Sequence, residues 1–328
     1  MVLVTDNPPD EPTTDSGAVT EPTAGTTADT DRGATGVLTR RRLLAGVLVL
    51  VGAVVGVVLA SRAWLARSHA QLADDLVADA SPPSDEPFSR DHLTGLPEPV
   101  QAYFRTVLTE GQPYVETARL TQDGQLRMGE EEGSWKPMTA TQTVSVAPPG
   151  FVWDAEVEMA PLLPVSVVDA YTDGEGYLRA KLLSLVTVAS DGPSSEMDEG
   201  ELSRYLAEAP WYPTALLPES GVEWEPVSDT AARATLTHED TTVSLVFHFD
   251  DEHRVDRVVA EDRPMSTDGG YERARWTGQF SDYERHDGMV VPTEGEVAWN
   301  LPEGDRTYWR ATITGFDYQV GGGGGVEG

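Results

Sequence analysis

Phe151-Val152-Trp153-Asp154-Ala155-Glu156-Val157-Glu158-Met159 is the stretch on which the fold turns. Phe151, Trp153, Ala155, Val157 and Met159 alternate with Val152, Asp154, Glu156 and Glu158. A period of two puts one set on each face of a strand, large apolar groups against carboxylates. The pattern returns where Val243, Leu245, Phe247 and Phe249 alternate with Thr242, Ser244, His248 and Asp250, Val246 being the one apolar exception. Asp123-Gly124, Asp173-Gly174 and Asp287-Gly288 stand between alternating runs, as expected of two-residue hairpin turns. About ten strands are counted this way.

Two stretches change the period. Val100, Tyr103, Phe104, Val107 and Leu108 fall at i, i+3, i+4, i+7 and i+8, with Pro99 near the first turn and Gly111 past the end, which predicts an amphipathic helix. A second helix is predicted over Glu199 to Ala209, with Leu202, Tyr205, Leu206 and Ala209 on one side. Pro210 stops it, and Trp211 to Pro218 forms a short apolar turn. Strands, one helical insertion and more strands predict a mainly β (α+β) domain. The expected architecture is a large curved antiparallel sheet or half-barrel with a few helices packed on its concave face.

Upstream, residues 43–60 read LLAGVLVLVGAVVGVVLA, eighteen residues without a charge behind Thr39-Arg40-Arg41-Arg42. A helix of that length reaches roughly 27 Å, about the thickness of a bilayer's hydrocarbon core. Thr39 to Leu44 also fits a twin-arginine export signal, with Val58-Leu59-Ala60 as a cleavage site. Span length and the following Trp64-Leu65 favour an uncleaved anchor. The expected organisation is then a disordered acidic tail (1–38), a transmembrane anchor or twin-arginine signal (39–67), an acidic tether (68–95), a β-rich extracytoplasmic domain (96–320) and a Gly-rich tail (321–328). This places a single-pass protein at the cell membrane with its C-terminal domain outside, or a secreted domain if the signal is cleaved.

The chain has 328 residues, 55 acidic against 23 basic, a net charge of −32, no cysteine and two lysines, Lys136 and Lys181. That charge repels phosphate backbones and excludes nucleic-acid binding. An acidic, lysine-poor composition suits a salt-rich solvent, so a halophilic source is expected. Without cysteine there are no disulfides, thiolate nucleophiles or Cys-ligated metals. Walker A, His-Glu-x-x-His, Gly-x-Ser-x-Gly and dinucleotide-binding patterns are all missing, so neither a cofactor nor a resident metal is expected. His248-Phe249-Asp250-Asp251-Glu252-His253 has the composition of an acidic hairpin turn rather than of a metal site.

Glu201, Arg204 and Glu208 sit at i, i+3 and i+7 and share a helix face. An arginine between two carboxylates can hold a polar head group, or form only an ion-pair ladder on the helix surface. Seven tryptophans, Trp135, Trp153, Trp211, Trp224, Trp276, Trp299 and Trp309, follow residue 100. They fit a core, or the walls of an apolar cavity.

Three blocks carry a resemblance: Pro148 to Ala155, Gly200 to Leu217 and Gly295 to Trp299. Together they resemble an uncharacterised family, a domain of unknown function in exported or membrane-linked proteins of halophilic archaea and bacteria. The family contributes a grouping and no catalytic residues. The order of elements also resembles the lipoprotein-carrier half-barrel, which implies acyl chains held between a curved sheet and a helical lid.

The leading expectation is a membrane-anchored domain that binds an apolar or amphiphilic ligand such as lipid or a lipidated protein. Trp153, Trp211 and Trp299 would line the cavity, and Glu201, Arg204 and Glu208 would meet the polar end, with Arg204 as the head-group contact. Two alternatives stand beside it: a structural or protein-docking module of the envelope, and a carboxylate-dependent enzyme using Glu201 or Asp154.

Overall fold

The computed structural model describes residues 33–127, 135–267 and 269–321, apart from the side chains of residues 33–44. Most of the expected acidic tail and residues 322–328 of the Gly-rich tail lie outside the described residues. The helices are α1 (Gly33–Ala78), α2 (Glu98–Val107) and α3 (Ser195–Glu208). The strands before α3 are β1 (Val115–Arg127), β2 (Trp135–Ser145), β3 (Gly150–Ala160), β4 (Leu163–Thr172), β5 (Glu175–Leu182) and β6 (Val186–Asp191). Those after it are β7 (Val222–Ser228), β8 (Ala231–His238), β9 (Thr241–Phe249), β10 (Val255–Thr267), β11 (Gly270–His286), β12 (Met289–Leu301) and β13 (Gly304–Val320).

All thirteen strands form one sheet in the order β6-β5-β4-β3-β2-β1-β13-β12-β11-β10-β9-β8-β7. Chain neighbours pair as hairpins on either side of the β1–β13 seam. That leaves β6 and β7 as the two edges, although only α3 and the 3-10 turns through Ser220 separate them in sequence. The insertion must therefore travel from one edge to the other across a face of the sheet. It does so with Leu202, Tyr205 and Leu206 buried, packing on β3, β4 and β5 on one side and on β9 and β10 on the other. β5 and β9 are nine strand spacings apart in the order. In a flat sheet that is roughly 43 Å, several helix diameters, so the sheet must curl around α3. Side chains confirm the closure: Ser266 of β10 donates to Asp191 of β6 at 3.3 Å, and the Tyr171 hydroxyl of β4 meets His238 of β8 at 3.0 Å. The expected curved antiparallel sheet with helices on its concave face is what forms.

α2 completes the concave layer. Val100, Tyr103, Phe104 and Val107 are buried in the same core as Phe151, Val157, Leu245 and Phe247. Asp173-Gly174 and Asp287-Gly288 make the β4–β5 and β11–β12 turns, with φ of 54° and 82° in the first and 47° and 86° in the second. Asp123-Gly124 is not a turn. It lies inside β1, where a Cβ on Gly124 would collide with the Arg310 carbonyl and Ala311 of β13. Close backbone approach, not left-handed geometry, explains this glycine.

Residues 68–95, expected as a tether, are more ordered than their polar composition implies. α1 continues unbroken to Ala78, and Leu65, His69, Leu72 and Leu76 form one stripe along it. Leu72 and Leu76 pack with Tyr177 over Val152, Val168 and Ala170 on the convex face. His69 Nδ1 bonds Asp154 Oδ1 at 2.8 Å, and Arg62 pairs with Glu156. The carboxylate face of β3 is thus partly covered by helix. Further on, Phe88 and Leu93 are buried in the main core. Nearer the N-terminus, Ala45–Ala78 is the one helix among the described residues long and apolar enough to cross a membrane.

Candidate functional site

α3 is placed by its ends. Ser194 caps it, accepting the Met197 N–H at 3.1 Å, and Pro210 interrupts the helical bonding after Glu208. The face turned to the sheet carries Glu201, Arg204 and Glu208. They line a cavity of about 200 Å³ together with Trp153, Trp211 and Trp299. All six residues singled out by sequence therefore meet in one place, and the helix face is not a surface ladder.

The arginine is held between two carboxylates. Arg204 Nη1 donates to Asp169 Oδ2 at 2.6 Å and Nε donates to Glu208 Oε1 at 2.9 Å. Its guanidinium lies over the rings of Phe151 and Trp153, at 4.8 and 5.1 Å. A buried relay of oriented amides continues from there. Trp153 Nε1 donates to Gln122 at 2.8 Å, Gln122 to Gln142 at 3.1 Å, and Gln142 to Glu208 at 2.6 Å. A carboxylate only accepts, so Glu208 sets the direction of the whole chain.

A second arginine, Arg263 of β10, was not anticipated. Its guanidinium lies over Trp276 and Trp299, at 4.8 and 5.7 Å, and its Nη2 donates to the Gly200 carbonyl at 2.9 Å. Asp169 was missed as well, although a lone acid in Val167-Val168-Asp169-Ala170 is a signal that a buried strand has a polar task. Trp276, Tyr308 and Trp309 also line the cavity. Trp309 and Trp211 approach Gly295 to 3.2 and 3.1 Å of where a Cβ would stand, so glycine makes room for both indoles.

Glu201 differs from the other acids. It is 7% exposed, and its Oε2 has no hydrogen-bond partner. Burial pushes its pKa up to about 8; Asp169 adds to the rise, and Arg204 and Arg263 oppose it. At neutral pH this side chain keeps its proton. Burial also lifts Asp169 above the usual carboxylate range, against the pull of Arg204. Desolvation opposes the charge of Arg204, but the surrounding carboxylates outweigh it and raise its pKa further.

Five buried polar atoms of the lining have no partner among the described residues: Asp169 Oδ1, Glu201 Oε2, Arg263 Nε, Trp211 Nε1 and Trp299 Nε1. The large majority of buried side-chain polar atoms are bonded in folded proteins. The five belong to residues that line one cavity, where Asp169 offers an acceptor, Arg263 and the two indoles offer three donors, and the protonated Glu201 can do either. Exposed Gln279 and half-buried Phe280 and Glu296 carry the wall to solvent.

The other candidates do not converge. Asp154 bonds His69 on the convex face, across the sheet from Glu201. His248 faces Arg257, while Asp250 pairs with Arg254.

Solved structures superpose on the chain only loosely. A LolA superfamily protein from Nitrosomonas europaea is 7% identical, with 62% of this chain and 86% of that one covered and a TM-score of 0.32. A beta-barrel-like protein of domain of unknown function DUF1849 from Brucella abortus is 12% identical over 63% and 99%, with a TM-score of 0.20. A porin-like protein from Bacteroides uniformis is 10% identical over 63% and 96%, with a TM-score of 0.21. No curated protein matches the chain. A family model does, over residues 86–311, from the start of the ordered domain into β13, and the chain accordingly belongs to the family of unknown function DUF6544.

Proposed function

We propose that α1 anchors this domain to a membrane, with residues 61–321 outside, and that the cavity beneath α3 binds a small amphiphilic ligand. The five unpartnered buried polar atoms inside aromatic walls carry this reading. About 200 Å³ is less than the roughly 300–1,000 Å³ of drug-sized sites. The ligand is thus a compact molecule, a single ring or a short chain, and not a whole lipid. Arg204 is already committed to Asp169 and Glu208, so Arg263 Nε and the indole N–H groups meet the acceptors of the ligand. Asp169 meets its donors, and the protonated Glu201 donates to it or accepts from it. A neutral or zwitterionic head with both kinds of group fits best.

Mass spectrometry of small molecules released on unfolding the purified full chain tests the proposal. One stoichiometric species, lost in Arg263→Leu, is expected. Nothing released, with tryptophan emission unmoved by indole, phenylacetate or hexanoate, would overturn it.

The protonated Glu201 supports a second reading, an enzyme with Glu201 as general acid. Glu201→Gln would then keep the ligand and abolish its conversion.

A further inference from the structure

Two turns at one end of the sheet expose leucine and valine in an otherwise strongly acidic chain. The β3–β4 turn reads Pro161-Leu162-Leu163-Pro164, and the β5–β6 connection reads Leu183-Ser184-Leu185-Val186. Leu162 is 93% exposed and Val186 60%, with Leu163 and Leu185 both at 42%. The Leu183 N–H donates to the Pro164 carbonyl at 3.0 Å, so the two turns form one surface. Leu162 and Leu183 have φ of 65° and 51°, the left-handed region that disfavours bulky side chains. At the other end of the sheet the same geometry is filled by Asp173 and Glu239. Leucine at these tips costs conformational energy and exposes apolar surface, so something other than folding retains it.

The same end touches the root of the apolar helix. Ser61, the residue after the uncharged stretch, donates from Oγ to the Ser184 carbonyl at 2.6 Å. Trp64, one turn further on and 60% exposed, lies beneath Lys181, 5.6 Å from ring centroid to Nζ. The other lysine of the chain, Lys136, is here too, donating to the Met159 carbonyl at 3.0 Å beside the β3–β4 turn. Leucine tips, an interfacial tryptophan and lysines with long apolar stems are the side chains that settle at a bilayer's headgroup boundary.

We infer that the β3–β4 and β5–β6 tips insert into the leaflet from which α1 emerges, so that the domain lies with this end of its sheet on the membrane. This rests on residues 43–60 being the membrane span. α1 is continuous from that span to its docking on β3 and β4, so the tips are held at the depth of Ser61 and Trp64. Along β6 the cavity residues Ala189, Ser190 and Asp191 lie three to five residues from Val186. At strand rise that is about 10–17 Å, so the docked end brings the ligand cavity close to the lipid surface.

Because the chain has no cysteine, single labels test this cleanly. Leu162→Cys, Val186→Cys, Asp240→Cys and Val51→Cys variants of the full chain each carry an NBD fluorophore in phosphatidylcholine vesicles. Emission is read with shallow doxyl-labelled lipid and with aqueous iodide. Loss of emission to doxyl lipid at 162 and 186, with 240 quenched only by iodide, is the expected result. If 51 is quenched by lipid while 162 and 186 respond only to iodide, the span stands and the docking is overturned. If 51 is also untouched by lipid, the span reading fails and takes the docking with it. Tips shielded from iodide yet unaffected by doxyl lipid would show cover by protein, which also overturns the inference. Leu163→Cys and Leu185→Cys replace either tip variant that does not fold.

Discussion

Glu201 couples the cavity to pH through a single proton. Its folded pKa is about 8 against an ordinary 4.5. Between those values the folded chain holds a proton that the unfolded chain has released. Unfolding then gives off a proton, so rising pH favours unfolding across this window. The stabilisation is full below about pH 4.5 and lost as pH climbs through about 8. It is worth on the order of a few kcal/mol, each of which moves Tm by about 2–4 °C in a domain of this size. We predict that melting of the wild type falls by several degrees from pH 5 to pH 8.5 and that Glu201→Gln flattens the fall; parallel slopes in the two proteins would refute the assignment. Arg204 makes a different prediction. Arg204→Leu removes the guanidinium bonded to both Asp169 and Glu208 and leaves only Arg263, bonded to neither, as counter-charge, which costs about 3–5 kcal/mol in denaturant titration. Arg204→Leu with Asp169→Asn should recover part of that loss. The helix half of this site was legible because Glu201, Arg204 and Glu208 lie within eight residues. Asp169 and Arg263 were not, because strands far apart in sequence bring them to α3 only once the sheet has curled.

Among the elements, β3 was readable from its period, since Phe151, Trp153, Ala155 and Val157 are buried on one face, while Val152 on the other face is buried as well, under α1. α2 was readable for the same reason. The end of α1 was not. Its stripe is one residue wide, Leu65, His69, Leu72 and Leu76, and it runs among alanine and aspartate. A composition-based reading sees only polar linker. Gly124 misled in the opposite sense, since an Asp-Gly pair signals a turn unless a neighbouring strand needs the space. The docking of α1 is correspondingly modest. Leu72 and Leu76 are half-buried over Val152, Val168 and Ala170, worth about 1–2 kcal/mol each. Leu72→Ser with Leu76→Ser should free the helix from the convex face while the main core stays folded. Limited proteolysis then cuts between residues 62 and 85 many times faster than in the wild type, with Tm of the sheet little changed. If cleavage stays as slow as before, the helix is held by something other than this stripe.

On the scale of the whole molecule, strand order and charge act together. The insertion between β6 and β7 must cross the concave face because β1 pairs with β13, and the crossing encloses the cavity. Residues 96–320 carry most of the chain's net charge of −32. Folding concentrates these carboxylates, and their repulsion opposes it. Exposed ion pairs such as Arg273–Glu199 and Arg62–Glu156 pull the other way, but each contributes about 1 kcal/mol at most. Added salt weakens both terms. The Debye length shrinks from about 10 Å at 0.1 M to about 3 Å at 1 M, so repulsion spread over the whole surface fades, while pairs in direct contact lose less. The net effect is stabilising. We predict that Tm rises by several degrees between 0.1 and 2 M KCl at pH 7.5, with most of the gain below 1 M where screening changes fastest. A Tm that stays flat or falls over that range would show that local pairs, not the collective charge, govern the stability of this sheet.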